Sequence, residues 1–155
     1  MGRSAQYYVM PVMIMKMKIG NTVFPKPSGE LKHSSVSNSW SLDIRTDYPE
    51  DDEAELDCGV RLYSDGELPN LLDRSKELQG QKAQYVWNEE DEPQFFICTY
   101  EHDPVKELNF EVVKVSEDSN GKLVNLKGKG VVLLEGEPTT FAFECSIDLT
   151  LIGTV

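Results

Sequence analysis

An antiparallel β-sandwich or barrel of about seven to nine strands, with one short helix near residues 69–79, is the fold this sequence predicts. Three observations carry that expectation. Apolar and polar residues alternate with period two in several stretches, most clearly over residues 141–151. Clusters of Gly, Asn, Asp, Ser and Pro separate these stretches at short intervals. Only one window, which contains Leu68, Leu71, Leu72 and Leu78, has apolar residues at helical spacing. The 155 residues suit one domain spanning 1–155.

The elements follow in order. The apolar run Tyr7 to Met15 is broken by Pro11 and followed by Lys16 and Lys18 without a small-residue cleavage site, so it reads as a strand rather than a signal peptide. It is also too short for a membrane span. A strand over 12–18 leads to the turn Gly20-Asn21 and a short return over Thr22 to Phe24. Residues 25–39 are rich in Pro, Ser, Gly and Asn and read as a long loop, which makes 1–39 a candidate mobile segment.

Trp40, Leu42 and Ile44 alternate with polar residues as the buried face of a strand. An acidic loop over 47–57 precedes a short strand over Cys58 to Tyr63, and Ser64-Asp65-Gly66 turns the chain. Pro69 suits the first turn of the predicted helix and Gly80 its left-handed end. Strands over 83–87, 94–101 and 107–116 follow. The last shifts its alternation from Val112 to Val113, the signature of a β-bulge. Asn120-Gly121 marks a hairpin, and Gly128 and Gly130 mark a bend or bulge in the return strand. In the final strand Phe141, Phe143, Cys145, Ile147, Leu149 and Leu151 share one face.

Charge limits the partners. The net charge of −12 opposes nucleic acid and anionic membrane surfaces, and no membrane insertion is expected. Residues 1–42 hold five bases and one acid, so the positive charge gathers at the N-terminal side of an acidic chain. Cys58, Cys98 and Cys145 are odd in number, widely spaced and without a C-x-x-C pair, which predicts a reducing, cytoplasmic setting. Cys145 and Cys98 read as core residues, and carboxylates near Cys58 disfavour its thiolate.

No catalytic or cofactor motif is present. His102 has Glu101 and Asp103 beside it, but neighbours on a strand face opposite ways, which works against a His102–Asp103 dyad. The acidic loops 47–57, 89–92 and 117–118 would project from one end if every strand reversed direction. That layout predicts a non-catalytic interaction module, inhibitor- or immunity-like, that binds a basic protein partner through Asp51, Asp52, Glu53, Glu89, Glu90, Asp91 and Glu92. One alternative is a self-assembling protein whose basic N-terminal segment docks on the acidic body of another copy. Another is a calcium-binding, C2-like β-sandwich with Asp51, Asp57 and Asp91 as ligands, since calcium takes several carboxylate oxygens from flexible loops. No other cofactor is expected. An enzyme using His102 ranks last.

Overall fold

The computed structural model describes residues 15–51, 53–66 and 68–154. They form ten strands: β1 (Lys16–Ile19), β2 (Thr22–Pro25), β3 (Ser28–Ser34), β4 (Ser39–Arg45), β5 (Arg61–Ser64), β6 (Lys82–Val86), β7 (Phe95–Cys98), β8 (His102–Asp118), β9 (Gly121–Leu134) and β10 (Glu137–Ile152). Seven of them, β3-β4-β5-β7-β8-β9-β10, close into a barrel, because β10 pairs with β9 along one edge and with β3 along the other.

The long strands make closure possible. One edge of β8 pairs with β7 over His102 to Pro104 and with β6 over Glu107 to Glu111. One edge of β10 pairs with β1 over Phe141 to Glu144 and with β3 over Asp148 to Ile152. Each therefore belongs to two sheet surfaces at once, which removes the exposed edges an open sheet would carry there. Bulges between Val105 and Glu107 and between Val112 and Lys114 bend β8 between its two sets of partners. The second bulge lies where the alternation shifts in sequence.

The core follows the strand parity. Trp40, Leu42 and Ile44 of β4, Phe95 and Ile97 of β7, and Phe141, Phe143, Cys145, Ile147 and Leu149 of β10 are buried. The β1–β2 hairpin adds Met17, Ile19 and Phe24 to the same core. Side chains fill the barrel, as in other small barrels of this strand number.

Four expectations need correction. The predicted helix over 69–79 is absent, and no helix occurs among the described residues. The described residues of 65–81 instead run as irregular turns across one end of the barrel. Leu68, Leu72 and Leu78 are buried as their spacing suggested, but from a plug. The plug is tied to the wall at several points. Trp40 Nε1 donates to the Leu72 carbonyl at 2.9 Å, and the Gly80 N–H donates to the Val112 carbonyl at 2.7 Å. Arg74 donates to the Ile152 and Gly153 carbonyls at 2.7 and 2.6 Å. Arg74 also sits 3.1 Å from His33 Nδ1. A guanidinium only donates, so that nitrogen must accept. Burial, with the Arg74 charge adding to it, holds the His33 pKa below its ordinary value, while a hydrogen bond with Asn38 acts the other way.

Second, residues 25–39 are not one long loop. They contain β3, whose Leu31 and His33 are buried, so the described part of 1–39 is built into the sheet. The strand over Tyr7 to Met15 falls, apart from Met15, outside the described residues. Third, the sheet is not wholly antiparallel, since β3 and β10 pair in parallel. Fourth, β6 and β7 do not reverse direction. Both run antiparallel to β8 along the same edge, so residues 87–94 are an excursion between two collinear segments.

Candidate functional site

That collinear pair changes where the acidic loops lie. Residues 46–60 lead into Arg61, which pairs with Cys98 at the end of β7. The turn holding Glu89, Glu90, Asp91 and Glu92 precedes Phe95, which pairs with Ser64 at the other end of β5. The two loops therefore stand at opposite ends of the β5–β7 pair. Glu117 and Asp118 close the far end of β8, away from residues 46–60. The structure does not bring the three loops together, because one assumed reversal is missing. Asp51 and Asp57 share a loop, but Asp91 is remote from both in the topology. Among the described residues no group of three or more His, Cys, Asp or Glu is placed to hold a metal ion. Asp52 lies outside the described residues.

The described residues of the loop over 46–60 are held by a set of local hydrogen bonds. The Glu53 N–H donates to Asp51 Oδ1 at 2.9 Å, and the Ala54 N–H donates to the Asp51 carbonyl at 3.0 Å. This is an Asx-type turn, which fixes the chain locally. At the loop ends the Thr46 N–H donates to the Val60 carbonyl and the Val60 N–H to Thr46 Oγ1, at 2.9 and 3.2 Å. Leu56 packs against the core. The Asp57 N–H donates to the Tyr100 hydroxyl at 3.1 Å, which ties the loop to residues 99–101 between β7 and β8. Two aromatic side chains stand out at this end, Tyr48 at 68% and Tyr100 at 64% exposure.

Beside that loop, on the outer wall, lies a cluster sequence reasoning did not assemble. Strand β7 turns Phe95 and Ile97 inward, so Phe96 and Cys98 face out. Cys98 is therefore not a core residue, and the thiol is half-buried. The short connection over 99–101 sets Cys98 directly opposite His102. The imidazole lies between two partners, with Nδ1 2.6 Å from the Tyr63 hydroxyl and Nε2 3.9 Å from Cys98 Sγ. Tyr63 stacks on Phe96 with ring centroids 5.7 Å apart, and Arg61 lies 4.4 Å over the Tyr63 ring. Asp43 holds that guanidinium with two hydrogen bonds of 3.0 and 2.9 Å.

The electrostatics follow from this geometry. Burial works against the Asp43 carboxylate, but hydrogen bonds and charge from Arg61 and Arg45 outweigh it and hold its pKa below the usual carboxylate value. The Asp43 hydrogen bond in turn raises the pKa of Arg61. Burial raises the pKa of Tyr63, and Cys98 adds to the shift, so the phenol keeps its proton at neutral pH. Burial likewise pushes the Cys58 thiol up, with Asp57 and Cys98 adding and a Tyr100 hydrogen bond opposing. Cys145 is a core residue whose burial pushes the thiol up to about 12.

Asp103 faces away from this cluster, as strand parity requires. It is 6% exposed, its Oδ1 accepts the Glu135 N–H at 3.3 Å, and its Oδ2 has no partner. It caps the β9–β10 turn from inside and cannot orient His102. The hairpin spacing between Cys98 and His102 was the signal in the sequence that could have revealed the pair.

A separate surface carries most of the clustered positive charge. On the outer face of β1, β10, β9, β8 and β6, the row Lys16, Glu144, Lys127, Glu111 and Lys82 alternates in sign from strand to strand. The next row is Lys18, Ala142, Lys129, Asn109 and Gln84, with no acid in it. A shallow trough runs over Lys129 and Ala142. No helix among the described residues is long and apolar enough to cross a membrane. No family model, curated protein or solved structure matches this chain.

Proposed function

We propose that the protein is an interaction module that captures a basic protein partner on the end formed by residues 46–60 and 99–101. The observation that carries this reading is an acidic loop whose described residues are preorganised by hydrogen bonds, with exposed tyrosines at positions 48 and 100. Residues 46–60 hold seven acids and no base. Among the described residues, none of the loop's carboxylates is in an ion pair. A fixed loop loses little conformational freedom on binding, and tyrosine supplies contact area at low entropic cost. Like charges held together in this way attract a cationic surface and speed encounter.

Two charge-matched triple variants test the site against net charge alone. One is Asp51→Asn, Glu53→Gln and Asp57→Asn. The other is Glu89→Gln, Glu90→Gln and Glu92→Gln. Binding of Lys- and Arg-rich peptides of equal charge and different sequence is followed by fluorescence anisotropy at low and high salt. The first variant is expected to weaken binding about tenfold at low salt, at roughly 0.5 kcal/mol per rim charge. The second should leave it nearly unchanged. Equal losses in both would reduce the effect to net charge and overturn the reading.

The lysine face favours a second reading, in which the basic partner is another copy of the chain. Five lysines face out there against Glu107, Glu111 and Glu144, in a chain whose net charge is −12. That face and the acidic end are different surfaces, so their pairing is head-to-tail and generates rings or filaments. Light scattering should then show oligomers at low salt that dissociate at high salt, and Lys18→Glu with Lys129→Glu should yield a monomer. A wild-type monomer at every salt concentration removes this reading and leaves the first intact.

A further inference from the structure

The wall cluster carries an inference independent of partner binding. We propose that Cys98 is a nucleophilic thiol, that His102 accepts its proton, that Tyr63 orients His102, and that the substrate class is a small peroxide. The geometry assigns the roles. With the proton on Nδ1, the imidazole donates to the Tyr63 oxygen at 2.6 Å and turns the Nε2 lone pair toward Cys98 Sγ at 3.9 Å. Tyr63 is held by its stack on Phe96 and by Arg61 above it, which Asp43 fixes. The ring that positions the base is thus itself positioned. This is the nested arrangement an activated nucleophile needs.

The other two thiols lack it. Cys145 is fully buried among apolar neighbours. Burial opposes a thiolate at Cys58 and the charge of the neighbouring Asp57 adds to it, while a hydrogen bond from Tyr100 acts the other way. Cys98 instead pairs across the strands with Arg61, whose guanidinium is shared with Asp43, and faces the His102 imidazole.

An open wall position suits a reagent that needs no enclosing pocket, which points to peroxide rather than to a large substrate. As Cys98 Sγ attacks one peroxide oxygen, the thiol proton passes to His102 Nε2, a sulfur–oxygen bond forms and the O–O bond breaks. Sulfur is oxidised to the sulfenic acid and the peroxide is reduced. The departing hydroxide takes the proton from the imidazolium and leaves as water; with an alkyl hydroperoxide the sulfur attacks the terminal OH oxygen, and the departing alkoxide takes that proton and leaves as the alcohol.

The test uses the full chain, with Cys58 as the internal reference. Iodoacetamide labelling, read peptide by peptide in a mass spectrometer across pH 5 to 9, gives a rate for each cysteine. Cys98 is expected to react about tenfold or more faster than Cys58 at pH 7, and His102→Gln should remove about tenfold or more of the Cys98 rate without moving Cys58. Tyr63→Phe should shift the pH midpoint of the Cys98 reaction while retaining much of its maximum. His102 is exposed, so the variant should keep its fold, which circular dichroism checks. Equal wild-type rates at Cys98 and Cys58, or no change in His102→Gln, would overturn the nucleophile assignment. Treatment with hydrogen peroxide and dimedone should place the adduct on Cys98. A Cys98 that reacts fast with iodoacetamide yet gives no dimedone adduct would overturn peroxide as the substrate class.

Discussion

Trp40→Ala is expected to lower the unfolding free energy by about 3–5 kcal/mol, the range for removing a large aromatic side chain from a core. Trp40 is 1% exposed and is the largest of the fully buried side chains. Its ring also packs against His33, with centroids 4.7 Å apart. The indole N–H donates to the Leu72 carbonyl of the plug, and the Trp40 backbone N–H donates to the Leu68 carbonyl at 3.1 Å. Alanine would therefore leave a cavity and loosen residues 65–81 together. Trp40→Phe keeps much of the packing but not the donor, and should cost about 1–3 kcal/mol. Urea denaturation separates the two. Limited proteolysis provides the second readout, because a loosened plug should be cut within residues 65–81 well below the global unfolding midpoint. A plug that stays protected in Trp40→Ala would show that Arg74, Gly80 and the backbone bonds at Leu68 and Gln81, all of which the variant keeps, suffice to hold it.

The plug also shows where sequence reasoning reached its limit. The leucines at 68, 72 and 78 are buried, so their periodicity did report burial. It did not report a helix, because side chains take over the backbone there. Asp73 Oδ1 accepts from both the N–H and the hydroxyl of Ser75, at 3.0 and 2.6 Å. The Gln81 side chain accepts from the Asp73 N–H and donates to the Asp73 and Glu77 carbonyls, each at 2.8 Å. Such local bonds compete with the helical ladder, as Ser and Asp commonly do.

Strand parity was far more legible. The inward face of β10, the bulge near Val112 and the hairpin before Gly121 could all be read, since each depends on neighbours in the chain. The parallel β3–β10 pair and the collinear β6 and β7 could not, because they join distant segments. The wall cluster failed for the same reason in part. Cys98 and His102 are four positions apart, but Tyr63 and Arg61 reach them only through the β5–β7 register. The acidic loop over 47–57 was visible from composition, whereas its separation from Glu89–Glu92 depends on the missing reversal.

Gly130→Ala is expected to be about as damaging as the loss of Trp40, at about 3 kcal/mol or more, where overpacking ordinarily costs 1–3. Strand β9 lies between β8 and β10 along almost its whole length. The bulge between Val105 and Glu107 lies beside Gly130, and a Cβ there would stand 2.1 Å from the Glu107 carbonyl oxygen and 2.7 Å from the Phe141 ring. Backbone cannot turn aside as a side chain can, so two strands of the wall would have to part. At Gly128 a Cβ would first meet the Phe143 ring at 2.4 Å and then Phe110 Cβ at 2.8 Å. Rings can rotate, and Gly128→Ala should cost less, about 1–3 kcal/mol. Gly66 provides the reference for strain without a clash, since its φ is +88° and nothing lies within 4 Å of the added carbon. Gly66→Ala should cost only about 1 kcal/mol or slightly more. Denaturant midpoints that follow the order Gly130, Gly128, Gly66 would trace the cost to close backbone approach in the barrel wall. Equal losses at Gly130 and Gly66 would instead trace it to glycine's conformational freedom, and the bulge on β8 would then have no claim on the glycine beside it.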